Sequence, residues 1–144
     1  MTSSDQEALY LPGDLAIVTP DVHTKPYWDA CARQELRIQR CCDCRNWQHP
    51  PITGCRNCGS FNREFVLVSG KGVVYSFTIP GHPVIPSVRE CVPYNVVVVA
   101  LNDAPGVRLI SNLIDTDSDE IRIGMPVELA WQRINEDVCL ARFR

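Results

Sequence analysis

RCCDCRNWQHPPITGCRNCGS, residues 40–60, carries five of the chain's eight cysteines. Four of them form two C-x-x-C pairs, Cys41 with Cys44 and Cys55 with Cys58, with ten residues between the pairs. A C-x-x-C folds as a tight knuckle that aims two thiolates at one point. Two knuckles supply the four sulfurs of a tetrahedral metal site, most simply structural zinc. Iron held by four cysteines shares the spacing. A redox dithiol would need one pair beside a βαβ pattern, which is absent. If thiolate fills all four positions, none is left for water or substrate, so the metal serves as a staple. The segment 36–60 has few apolar groups (Leu36, Ile38, Trp47, Ile52) to offset an ordering cost of about 1–2 kcal/mol per residue. Metal binding, at roughly 10–16 kcal/mol, offsets it. Cys42 is read as a bystander thiol, Cys31 and Cys139 as core residues, and Cys91 is left open.

No catalytic constellation accompanies the cluster. His23, His49 and His82 each lack an adjacent motif. His82 and Cys91 share one loop and could form a nucleophile–base pair, but two residues of these types coincide by chance. Asp115, Asp117, Asp119 and Glu120 lack the glycine and the distal glutamate of a calcium loop. Tyr75 and Phe77 are two apart on one strand and share a face. Such a pair either stacks bases or packs the core with Val73 and Ile79. Arg33, Arg37, Arg40 and Arg45 make a basic stretch, read as a solvated face or as a contact for the phosphates of a nucleotide-like cofactor such as coenzyme A.

These residues need a scaffold. The first 23 residues, with Pro12, Gly13 and Pro20, read as an extended arm. Thr24-Lys25-Pro26 is a helix start with Thr24 as N-cap. The helix spans 26–34, with Trp28, Cys31 and Ala32 on one side. Residues 36–39 alternate like a strand leading into the knuckles. Beyond Ser60 come β-branched runs at 64–68, 72–79, 94–101, 107–113, 126–132 and 137–143, the density expected of a pleated, half-buried surface. A single helical turn is expected at 115–121, ended by Gly124. Short antiparallel strands joined by short turns predict a small barrel. Residues 80–93 (PGHPVIPSVRECVP) hold four prolines and no periodicity, and a loop of this length is usually functional.

The chain has 144 residues, 45% of them hydrophobic, and a net charge of −3. That size allows a core without disulfides, and the acidic balance argues against nucleic acid as the main partner. No stretch resembles a membrane span or a secretory signal, so a cytoplasmic chain with reduced thiols is expected.

The run TKPYWDACARQELRIQRCCDCRNWQHPPITGCRNCGS resembles the opening of the DUF35 family: an aromatic-Trp helix, a Leu-x-x-Gln-x-Cys lead-in, two C-x-x-C knuckles around Pro-Pro, then Gly-Ser. GVVYSFTI, VPYNVVVVALND and IRIGMPVEL look like that family's barrel strands, so the resemblance covers roughly residues 20–144. Two departures are Arg45, where a glycine usually follows the first knuckle, and the extra Cys42. The resemblance implies a mainly β chain: an N-terminal arm and helix (1–35), a rubredoxin-like zinc ribbon (36–62) on Cys41, Cys44, Cys55 and Cys58, and an OB-fold barrel (63–144).

It also implies a non-catalytic subunit beside a thiolase-superfamily enzyme, an aldolase, thiolase or acyltransferase, in a hetero-oligomer such as α2β2. The complex would act on acyl-CoA thioesters, by retro-aldol or thiolytic C–C cleavage, with steroid side chains among the substrates. Acyl-CoA would be a ligand of the complex. His82, Pro83 and Arg89 in the proline-rich loop, with Tyr94, Trp131 and Phe143 as aromatic anchors, are the expected contacts, because aromatics dominate hot spots. The competing expectations are a single-stranded nucleic-acid-binding OB-fold module and an independent enzyme using Cys91 or His82.

Overall fold

The computed structural model describes residues 8–144, so the first seven residues of the expected arm lie outside the described part. The arm from residue 8 onward contains a 3-10 turn at Gly13–Leu15. Tyr10 anchors it to the barrel, its hydroxyl accepting hydrogen bonds from Asn95 N at 2.8 Å and Asn95 Nδ2 at 2.7 Å.

Helix α1 spans Lys25–Ala32. Thr24 has helical backbone angles and its side chain makes no cap hydrogen bond to the helix. Asp21 does that work one turn earlier. Its Oδ1 accepts from the backbone N–H of His23 and Thr24, and Thr24 Oγ1 accepts from Asp21 N. This reciprocal box satisfies donors that would otherwise be orphaned. Thr24 thus holds the N-cap position as expected, but the capping side chain is that of Asp21. The buried face is also shifted, to Tyr27, Ala30 and Cys31, while Trp28 is only half-buried.

Two sheets follow. In the first, β1 (Arg37–Cys41) lies between β2 (Trp47–Gln48) and β3 (Arg63–Leu67), all antiparallel. The run at 64–68, expected among the barrel strands, thus pairs with the strand entering the first knuckle. In the second, the order is β6 (Arg108–Ser111), β5 (Val96–Leu101), β4 (Lys71–Thr78), β7 (Pro126–Arg133), β8 (Cys139–Phe143). A parallel bridge between Leu113 and Phe143 brings the two edges together. Ile114 N donates to Phe143 O at 2.8 Å and Phe143 N to Asn112 O at 3.2 Å. The result is a nearly closed five-stranded antiparallel barrel.

Alternation places the core. In β5, Val97, Val99 and Leu101 point inward and the residues between them outward, as a period of two requires. They meet Val74, Leu109, Leu113, Ile121, Val127 and Phe143. Tyr27, Cys31, Leu36, Ile38 and Val68 belong to the same cluster, so helix, ribbon and barrel share one core. Gly72 sits where β4 crosses closest to β5. A Cβ there would fall 2.5 Å from the Ala100 carbonyl oxygen.

The expected helical turn is a 3-10 turn at Ser118–Glu120. The proline-rich loop holds another, Pro86–Val88, whose Val88 is buried and pins the loop to the body. Among the described residues, no helix is long and apolar enough to cross a membrane.

Candidate metal centre and partner surface

The two knuckles repeat one backbone pattern. Arg45 N donates to Cys41 O and Cys41 N to Asn46 O; Gly59 N donates to Cys55 O and Cys55 N to Ser60 O. The residue after each second cysteine is left-handed, Arg45 at φ 65° and Gly59 at φ 77°. That turn points both sulfurs of a pair inward.

The ribbon around them is tied by polar groups rather than by a core of its own. Gln39, fully buried, donates from Nε2 to Ile52 O at 2.9 Å and accepts from Ile52 N at 2.8 Å. Gln48 Oε1 accepts from Arg56 N, and Asp43 accepts from Ser60 Oγ and Asn62 Nδ2. The proline-containing connection is thereby locked to β1, which fixes one knuckle against the other. Sequence reasoning passed over Gln39, Gln48 and Asp43 as ligand-positioning residues. Gln39, inside the Leu-x-x-Gln-x-Cys lead-in, was the one with a visible signal.

Cys41, Cys44, Cys55 and Cys58 bring their sulfurs within 4.8 Å of one another. Cys41 and Cys58 are 3.7 Å apart and Cys44 and Cys55 3.5 Å, and all eight cysteines are free thiols. A tetrahedron with Zn–S bonds of about 2.3 Å has edges of about 3.8 Å, so the donor set fits zinc. The electrostatics agree. The Asn57 side chain and the Asn46 backbone N–H hold the Cys44 thiol down at about 6. Backbone N–H groups of Cys44 and Asp43 lower that of Cys41. At Cys58 the Ser60 backbone favours thiolate, but the crowding sulfurs of Cys44, Cys41 and Cys55, with burial, push it up to about 12. Four thiolates cannot share this space without a cation, and a divalent ion supplies it. Zinc held here has thiolate in every position. Its contribution is folding energy, not chemistry. Cys42 is exposed, next to the set but outside it.

Two carboxylates are shared among the four arginines of the basic stretch. Arg33 and Arg37 pair with Glu35, and Arg40 and Arg45 with Glu64. Tyr75 and Phe77 do not share a face. A register shift between Val74 and Ser76 makes Tyr75 a bulge, which stands 49% exposed, while Phe77 packs against the core. A bulge moves one residue out of alternation, and the base-stacking pair is lost with it.

The six expected contact residues scatter. His82 and Arg89 are exposed, and Pro83, Tyr94 and Trp131 are half-buried, Trp131 packing against the core. Phe143 is 0% exposed. It fills the barrel beneath the seam, so its place among surface anchors is corrected. Apolar surface lies elsewhere: Val84 and Ile85 in the proline-rich loop, at 80% and 45% exposure, and Tyr75, Ile110 and Ile123 on the barrel.

Comparison with known families and proteins places these features. Residues 28–64 match the model described as the ChsH2 rubredoxin-like zinc ribbon domain, and residues 65–132 the ChsH2 C-terminal OB-fold domain. The chain is 39% identical over 118 residues to a probable enoyl-CoA hydratase alpha subunit of Thermomonospora curvata, covering 82% of this chain and 36% of that one. It is 33% identical over 129 residues to the 3-oxo-4,17-pregnadiene-20-carboxyl-CoA hydratase alpha subunit of Mycobacterium tuberculosis, covering 84% and 39%. The chain therefore spans little more than a third of either relative. A solved chain described as Ltp2-ChsH2(DUF35) aldolase superposes with a TM-score of 0.79 at 35% identity, over 89% of this chain and 98% of that one.

Proposed function

Because the chain belongs to the DUF35 family, we propose that it is the non-catalytic subunit of a thiolase-like complex acting on acyl-CoA thioesters. Its partner carries the active site and cleaves a C–C bond of the acyl group, by retro-aldol reaction or thiolysis. Steroid side chains are the proposed substrate class, supported by the steroid carboxyl-CoA in the name of the Mycobacterium tuberculosis relative. The zinc ribbon and barrel form the body that supports assembly, in a hetero-oligomer such as α2β2, and help hold the acyl-CoA. The complex is cytoplasmic.

One observation carries the reading. A metal site saturated by its own four thiolates sits in a body whose apolar side chains stand out on the loop and barrel, Val84 at 80% and Ile110 at 78% exposure. A closed metal site does no catalysis, and exposed apolar surface is what an obligate partner covers. His82, Pro83 and Arg89, in the same loop as Val84, are further proposed contacts, with Tyr94 and Trp131.

The test is turnover. A thiolase-superfamily partner is assayed for acyl-CoA cleavage alone, with this chain, and with the Cys91→Ala chain. Cleavage that rises on adding the chain, and rises equally with the variant, supports the reading. Turnover by the isolated chain, lost in Cys91→Ala, contradicts it.

A further inference from the structure

We propose that the cleft where helix α1, the turn after β2 and the β6–β8 seam meet is the docking site for an acidic, apolar loop of the partner subunit. An aliphatic or aromatic side chain of that loop enters between Trp28 and Ile110, and a carboxylate beside it pairs with Arg108. This rests on the accessory-subunit reading and specifies its contact.

The cleft has a volume of about 300 Å³ and is lined by Tyr27, Trp28, His49, Arg108, Ile110 and Ala141 among others. Helix, ribbon and barrel each contribute, so it exists only in the assembled chain. Its volume lies at the lower limit for small-molecule sites, which run from about 300 to 1,000 Å³. It accepts a side chain or two rather than a whole cofactor.

Its chemistry favours an acid. Arg108 and Ile110 lie two apart on β6 and share its outer face, while Leu109 and Ser111 between and beyond them are buried. Ile110 is 78% exposed. The Arg108 guanidinium lies 3.7 Å from the Tyr75 ring centroid. It makes no hydrogen bond or ion pair with the described residues, whereas Lys25, Arg33, Arg37, Arg40 and Arg45 each hold a carboxylate. Stacking on Tyr75 occupies the flat face of the fork and leaves its edge donors for a bidentate acceptor. Burial pushes the His49 imidazole down to about 4, so the ring is neutral at physiological pH. Arg108 is then the one charged group among the lining residues. The Tyr75 bulge, irregular as strand geometry, acquires a use as the platform that orients this arginine.

The test uses the tagged full chain, purified with its partner from its own cells, and measures the partner's affinity for wild type, Arg108→Glu and Ile110→Asp. Both side chains are exposed, and zinc content and circular dichroism establish that the variants fold. Loss of at least about 30-fold in affinity in each variant is expected, with Arg108→Glu rescued when the partner's facing Asp or Glu is changed to Arg. A partner bound by wild type and by both variants within about threefold overturns the docking site and leaves the accessory role standing. A wild-type chain that brings no partner overturns both. Self-association of the wild type that Ile110→Asp abolishes, with partner affinity unchanged, assigns the cleft to a second copy and also overturns the proposal.

Discussion

Arg45 and Gly59 occupy the same place in the two knuckles and share a left-handed backbone, at φ 65° and 77°. Glycine takes this conformation freely, whereas a side chain costs about 1–2 kcal/mol there. Arg45 regains part through its ion pair with Glu64, but that pair is solvent-exposed and contributes little. Arg45→Gly is therefore expected to stabilise the ribbon by about 1 kcal/mol, seen as a few-fold tighter apparent zinc affinity in chelator competition. Gly59→Ala should move it the other way. Affinity unchanged by both would show that the backbone of these turns carries no strain.

Cys55 lies at the centre of the second knuckle, accepting from Asn57 N and lying 3.5 Å from Cys44. Cys55→Ser is expected to lose zinc and to unfold residues 37–62 while strands β4 to β8 keep their amide dispersion. Metal analysis with an amide-resolved spectrum reads both outcomes. A variant retaining one zinc per chain would contradict the four-thiolate assignment.

Burial lowers the His49 imidazole from its ordinary 6.5 to about 4. Between these values the unfolded chain binds a proton that the folded chain refuses. Stability is therefore full above about pH 6.5 and falls as pH drops toward 4, by about 3 kcal/mol in total. His49 Nδ1 is also buried without a partner among the described residues, a further cost to the native state. His49→Phe is expected to be more stable than wild type at pH 5, with a smaller gain at pH 7. Denaturant titrations at the two pH values, compared between the proteins, cancel the zinc contribution. Parallel pH profiles would contradict the burial argument.

Much of this was legible in the residues. The paired C-x-x-C spacing located the metal centre because four ligands must converge, and the β-branched run VVVVAL located a barrel strand because such residues favour a pleated surface. What failed were features decided by the third dimension. Residues 64–68 carry a strand pattern, but a pattern does not say which sheet it joins, and β3 pairs with β1. Tyr75 and Phe77 have period-two spacing, and a bulge separates them. Arg40 and Arg45 stand five apart in the sequence, and their spacing does not show that Glu64, far along the chain, pairs with both. Phe143, on the last strand, reads as an anchor until the parallel bridge to Leu113 places it at the closing seam.

That seam depends on one buried amide. Asn95, 0% exposed, donates to Leu113 O, accepts from Leu113 N, and donates twice to the Tyr10 hydroxyl. Tyr10→Phe leaves the Asn95 backbone N–H without its acceptor, and is expected to cost about 1–3 kcal/mol in urea unfolding. The loss should be concentrated in the exchange rates of the amides of Asn95 and Leu113. A Tyr10→Phe chain as stable as wild type would show that the arm lies on the barrel without holding it.

The accessory role is tested most directly by the native mass of the chain purified from its own cells, with identification of whatever accompanies it. A thiolase-superfamily protein in fixed ratio, surviving gel filtration at micromolar concentration, is the predicted result. A single zinc-loaded chain at its own mass, with no companion, would contradict the account.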